Sequence, residues 1–189
     1  MARPCRLLAL AVGLVAVLAA CAPGGTRQQP TRTQPTASPA RSAASPAIAP
    51  DAVRISLAGF AGGPGFRLPE DLGGRPLVLN VWASWCGPCR QEMPAFQQVY
   101  LQATGKVGFL GLDYLDVESA ARRFVAQTGV TYPLAADPKG RAGAELGVAS
   151  LPTTVFIGAD GTVRGRHPGA MTAPQLRAAI QRYLEVSLP

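Results

Sequence analysis

Histidine and cysteine are scarce in this chain of 189 residues: His167 stands alone, and the four cysteines are Cys5, Cys21, Cys86 and Cys89. A closed structural zinc site draws four ligands from such residues. With Cys5 and Cys21 near the N-terminus, too few ligands remain elsewhere, and no resident metal is expected. Acidic residues are missing from positions 1–50, which carry five arginines, Arg3, Arg6, Arg27, Arg32 and Arg41. From Asp51 onward thirteen basic residues meet eleven acidic ones, so the formal charge of +7 falls to +2 over that part. So balanced a charge argues against a nucleic-acid-binding surface. The apolar run Leu7–Ala20 is fourteen residues long, short of the ~20 that a membrane-spanning helix needs. There is no internal repeat, no phosphate-binding glycine loop and no heptad seam.

The N-terminal fifty residues read as targeting and tether. Arg3 and Arg6 followed by Leu7–Ala20 have the layout of an export signal over residues 1–20. Leu18-Ala19-Ala20-Cys21 resembles a bacterial lipobox, which makes Cys21 a candidate for lipidation and the mature N-terminus. The alternative is an uncleaved or conventionally processed leader with an incidental cysteine. Residues 22–50 are Pro, Thr, Ser, Ala and Gln with almost no large apolar side chain. Such a composition cannot bury enough surface to offset the entropy of ordering, so 21–50 is expected to be a lipidated, disordered tether. Its arginines favour an anionic lipid surface.

The chemistry sits at Trp85-Cys86-Gly87-Pro88-Cys89. A nearly unbroken apolar run from Leu77 to Ala83 precedes it, the pattern of a strand covered on both faces. Met93, Phe96, Tyr100 and Ala103 follow at helical spacing, so the two cysteines open a helix directly after a buried strand. A free thiol with a pKa of about 8.5 is mostly protonated at neutral pH, and the thiolate is the nucleophile. Unpaired N–H groups and the helix dipole favour S⁻ at Cys86, the attacking sulfur. Cys89, one turn on and deeper, is the resolving thiol. Pro88 fits a first helical turn, Gly87 leaves room for an approaching substrate chain, and Pro94 is expected to kink the helix. A chance pair of thiols or half a zinc site are the plainer alternatives.

Residues 51–189 are of a size for one domain. Ile55–Leu57 reads as an edge strand and Val107–Leu112 as a second buried strand. Val117, Ala120, Ala121, Phe124 and Val125 mark an amphipathic helix, and Lys139–Leu146 a shorter one. Thr153–Ile157 and Thr162–Arg166 form a hairpin across Asp160-Gly161. The last helix opens with the capping box Thr172-Ala173-Pro174-Gln175 and buries Leu176, Ala179, Ile180, Tyr183 and Leu184. This order gives an α/β fold, a mixed central sheet with helices on both faces.

Over Phe66 to Leu184 the sequence resembles the thioredoxin superfamily, and within it the membrane-tethered TlpA/ResA/DsbE (CcmG) group of thiol–disulfide oxidoreductases. The resemblance rests on Asn80-Val81-Trp82-Ala83-Ser84-Trp85-Cys86-Gly87-Pro88-Cys89-Arg90-Gln91-Glu92-Met93-Pro94. It also rests on Gly147-Val148-Ala149-Ser150-Leu151-Pro152-Thr153-Thr154-Val155-Phe156-Ile157 and Asp160-Gly161. It implies a thioredoxin fold over 51–189 and a cis-proline at Pro152 opposite the dithiol, with Leu151 exposing backbone to an extended substrate peptide. An ordinary loop proline is the alternative. Thioredoxin carries a buried acid six residues before the first cysteine; here Asn80 stands there, as in the TlpA/ResA/DsbE group, and asparagine takes no proton. Glu92 matches a glutamate of the DsbE type beside its active site; a solvated position on the helix is the alternative. His167 is read as structural or exposed. Trp85 caps the dithiol, and Trp82 packs in the core.

The resemblance implies a lipid-anchored enzyme on the extracytoplasmic face of a bacterial membrane, whose only cofactor is the redox-active Cys86–Cys89 pair. A membrane thiol transporter would supply electrons, and apocytochrome c or other exported protein disulfides would be the substrate. A disulfide oxidant or isomerase is the second enzymatic reading, decided by the reduction potential. A copper or zinc carrier using Cys86, Cys89 and His167 is the non-enzymatic one. A peroxidase is disfavoured, because Ala83 stands where a peroxidatic cysteine has a threonine three residues before it.

Overall fold

A computed structural model of the protein describes residues 53–103 and 105–189. In chain order it contains β1 (Ile55–Gly59), β2 (Phe66–Leu68), β3 (Leu77–Trp82), α1 (Gly87–Gln102), β4 (Gly108–Tyr114) and α2 (Glu118–Thr128). These are followed by β5 (Leu134–Asp137), α3 (Arg141–Glu145), β6 (Thr153–Ile157), β7 (Val163–Pro168) and α4 (Ala173–Leu184). The export signal, Cys5, Cys21 and the tether lie outside the described residues.

The seven strands form one sheet in the order β2-β1-β5-β4-β3-β6-β7. β3, β4 and β5 run parallel, while β6 returns antiparallel beside β3 and β1 antiparallel beside β5. Alternating side chains divide the core into two layers. Val78 and Trp82 of β3, Phe109 of β4 and Phe156 of β6 pack against Met93, Phe96 and Val99 of α1, Phe124 of α2 and Ile180 of α4. Leu79, Val81, Leu112 and Val155 point the other way, against the β1–β2 hairpin and Ala142 and Leu146 around α3. This is the mixed, doubly covered sheet of a thioredoxin-like α/β fold.

Several elements differ from their sequence expectations. The strand starting at Ile55 is not an edge: it lies between β2 and β5, and β2 takes the outside. Val117 is 67% exposed, because it caps α2 from outside the helix, leaving Ala121 and Phe124 as the buried stripe. In α4, Leu176 and Ile180 are buried while Ala179, Tyr183 and Leu184 are only partly covered. Pro94 lies inside α1 without ending it. Among the described residues, no helix is long and apolar enough to cross a membrane.

Candidate active site

β3 is buried along its whole length and delivers the chain to a tight turn, in which the Cys86 N–H donates to the Ala83 carbonyl at 3.1 Å. Cys86 is the N-cap of α1, one residue outside the helix, and its Sγ accepts the Cys89 N–H at 3.2 Å. Cys86 and Cys89 are joined as a disulfide. Cys86 is 5% exposed and Cys89 fully buried, so an incoming thiolate or disulfide meets the Cys86 sulfur. When the bond is reduced, the Cys89 N–H and the dipole of a 16-residue helix stabilise S⁻ at Cys86. Pro88 lies in the first turn, and a Cβ built on Gly87 would meet nothing, so the surface above the dithiol is open.

Glu92 is buried, 2% exposed, rather than on the solvated side of α1. Its Oε1 accepts the Asn80 amide at 2.7 Å, and its Oε2 accepts the Met171 N–H at 3.1 Å. Burial raises its pKa from 4.5 to about 7, against the opposing pull of those two hydrogen bonds. The buried carboxyl of α1 is thus held from β3 by Asn80. Among the described residues Glu92 makes no hydrogen bond to Cys89.

The β3–β6 register sets Thr153 against Val81. Leu151 and Pro152, which precede Thr153, therefore stand beside the end of β3 from which the Cys86 turn leaves. The Leu151–Pro152 peptide is cis, as is Leu68–Pro69, which the sequence did not announce. Leu151 packs partly on the core layer that contains Cys86. Trp85 is 63% exposed, and its indole N–H donates to the Leu115 carbonyl at 3.3 Å. Trp82 is fully buried and stacked on Phe124, centroids 5.0 Å apart, and the Arg90 guanidinium covers the same ring at 4.6 Å. His167 sits in β7, paired with Thr154. Among the described residues no group of three or more His, Cys, Asp or Glu side chains is arranged to hold a metal ion.

Four participants were not anticipated: Ser84, Asp113, Asp116 and Met171. Asp113 is buried at the end of β4 opposite Trp82. Desolvation first, then the adjacent Asp116 and Glu118, raises its pKa from 3.8 to about 7. The available signal was position, two acids directly after a buried parallel strand, where open α/β sheets place functional loops.

Comparison with known proteins agrees with this geometry. The AhpC/TSA family profile matches residues 50–166. Thiol-disulfide oxidoreductase ResA of Bacillus anthracis is 34% identical over 114 residues, 60% of this chain, and the chain spans just 66% of its length. Thiol:disulfide interchange protein DsbE of Pseudomonas fluorescens biotype C is 35% identical over 141 residues, 67% of this chain and 78% of DsbE. The crystal structure of StoA from Bacillus subtilis superposes with a TM-score of 0.58 at 27% identity, covering 67% of this chain and 96% of StoA. A profile match over more than half the chain, on a thioredoxin-like sheet with a disulfide at the head of α1, places this chain in the AhpC/TSA family, with the thiol–disulfide oxidoreductases ResA and DsbE among its relatives.

Proposed function

We propose that the protein is an extracytoplasmic thiol–disulfide oxidoreductase that reduces disulfides of exported proteins, with apocytochrome c as its substrate. The observation that carries this reading is the Cys86–Cys89 disulfide at the N-terminus of α1 with the buried Glu92 carboxyl one turn further on. The names of ResA and DsbE support the exchange chemistry.

In the reduced protein, the Cys86 thiolate attacks a substrate disulfide. A Cys86–substrate S–S bond forms as the substrate's own bond breaks, and one substrate thiolate leaves. Cys89 then gives up its proton, with Glu92 as the acceptor. Its thiolate attacks the Cys86 sulfur, the mixed disulfide breaks, and the second substrate thiol departs. Two electrons have passed to the substrate and the Cys86–Cys89 bond has re-formed. A membrane dithiol carrier returns the centre to the reduced state. Trp85, Gly87, Pro88 and the Leu151–Pro152 backbone form the surface on which an extended substrate segment lies. An acyl chain on Cys21 and the arginine-bearing tether keep the 51–189 domain at the outer membrane face.

The test is a redox titration of the full chain together with trapping by Cys89→Ser. A thioredoxin-like reducing potential and mixed disulfides containing apocytochrome peptides are expected. A strongly oxidising potential would move the assignment to a disulfide oxidant, and full turnover after Cys86→Ala would remove the exchange mechanism altogether.

A further inference from the structure

The turn that presents Cys86 is held from outside its own helix. Asp116, in the β4–α2 loop, accepts the Ser84 N–H at Oδ2 and the Ser84 hydroxyl at Oδ1, the latter at 2.9 Å, across 32 residues of sequence. Its Oδ1 also accepts the Val117 N–H at 2.7 Å. One residue earlier, the Leu115 carbonyl takes the Trp85 indole. Leu115 has φ of 51°, a left-handed backbone that a non-glycine residue adopts only when its surroundings enforce it. The β4–α2 loop thus grips Ser84 and Trp85, the two residues immediately before the reactive cysteine.

At the end of β4, buried Asp113 faces the negative charges of Asp116 from the loop and Glu118 from α2, while its neighbours on β3 and β5, Trp82 and Ala136, carry none.

We propose that Asp116 is a positioning residue for Cys86: it fixes the Ser84–Trp85 turn, and loss of its carboxylate loosens that turn and lowers the reactivity of the Cys86 sulfur. The proposal deepens the exchange reading of the site, yet its test needs no protein substrate. The readout is the rate of Cys86 alkylation by iodoacetamide in the reduced full chain, assigned by peptide mass and followed from pH 6 to 8.5. A Glu92→Gln background removes the other buried carboxyl that titrates in this range.

Asp116→Asn sets an amide against the Ser84 donors. At pH 6 it is expected to slow alkylation about tenfold, the size of one lost charge-assisted hydrogen bond. The midpoint of the alkylation pH profile is expected to rise in Asp116→Asn, because a loosened turn seats Cys86 less well at the helix N-terminus, a shift that a merely structural role would not produce. Should Asp116→Asn fail to fold, Ser84→Ala removes only the hydroxyl donor and is expected to slow alkylation about threefold, a partial loss of the same hydrogen bonding. An unchanged rate in folded Asp116→Asn or in Ser84→Ala overturns the proposal. A Cys86 that alkylates as described but exchanges no disulfide would instead overturn the function, leaving the positioning role intact.

Discussion

At the scale of single residues, Glu92 decides most about this site. Its folded pKa near 7 lies above its ordinary 4.5, so between those values the native state holds a proton that the unfolded chain has released. Stability from this group is therefore full below about pH 4.5, falls as pH rises to about 7 and is level beyond, a total of about 3 kcal/mol. Asp113 acts in the same direction over a similar window. Urea unfolding of the oxidised protein from pH 4.5 to 8 should show this decline, and Glu92→Gln should flatten part of it. The carboxylate is the proton-accepting form, so insulin-disulfide turnover is predicted to rise through pH 7. Glu92→Gln is predicted to abolish that rise and lower turnover by ten- to a hundredfold, in keeping with about 10² for general base catalysis; an unchanged profile would show Glu92 to be structural. The sequence places Glu92 on the Cys89 face of the helix. Its burial was not legible, because the Met171 N–H that holds it lies 79 residues away.

At the scale of elements, the fit of β4 against Trp82 of β3, Leu134 of β5 and Tyr132 just before it depends on a missing side chain. A Cβ on Gly111 of β4 would lie 2.6 Å from Leu134 Cδ2, 2.9 Å from Trp82 Nε1 and 3.0 Å from Tyr132 Cε2. Gly111→Ala is predicted to destabilise the protein by about 1–3 kcal/mol through overpacking, seen as a lower urea midpoint with an unchanged slope. At the head of α4, Gln175 Oε1 accepts the N–H and the hydroxyl of Thr172, at 2.8 and 2.9 Å. Thr172→Ala should cost about 1 kcal/mol, read by the same melt. Elements with a strong period were legible in sequence: the apolar run from Leu77, the Met93–Phe96 stripe and the capped last helix. β5 was not, since Leu-Ala-Ala-Asp is short and small, and only its neighbours β4 and β1 make it a strand. Val117 was misjudged because it fits the helical spacing while sitting one position before the helix begins.

At the scale of the molecule, the reactive edge gathers pieces from the whole described chain: the turn after β3, the loop after β4, the residues before β6 and the segment before α4. The two motifs were legible because each is contiguous in sequence. The clasp of Asp116 on Ser84 was not, because it exists only once β3 and β4 lie side by side. For attachment, Cys21→Ser is expected to shift the protein from the membrane pellet to the soluble fraction on cell fractionation. Retention in the pellet would mean that something other than an acyl chain holds it.

The hydrogen bond from Met171 to Glu92 also has a temporal consequence. A polypeptide exported from its N-terminus emerges with both cysteines long before residue 171, so the carboxyl beside the dithiol stays incompletely seated until the final helix docks. Completion of the buried carboxyl's hydrogen bonding is thereby tied to delivery of the last tenth of the chain, and a nascent fragment ending short of residue 171 carries the two thiols without it.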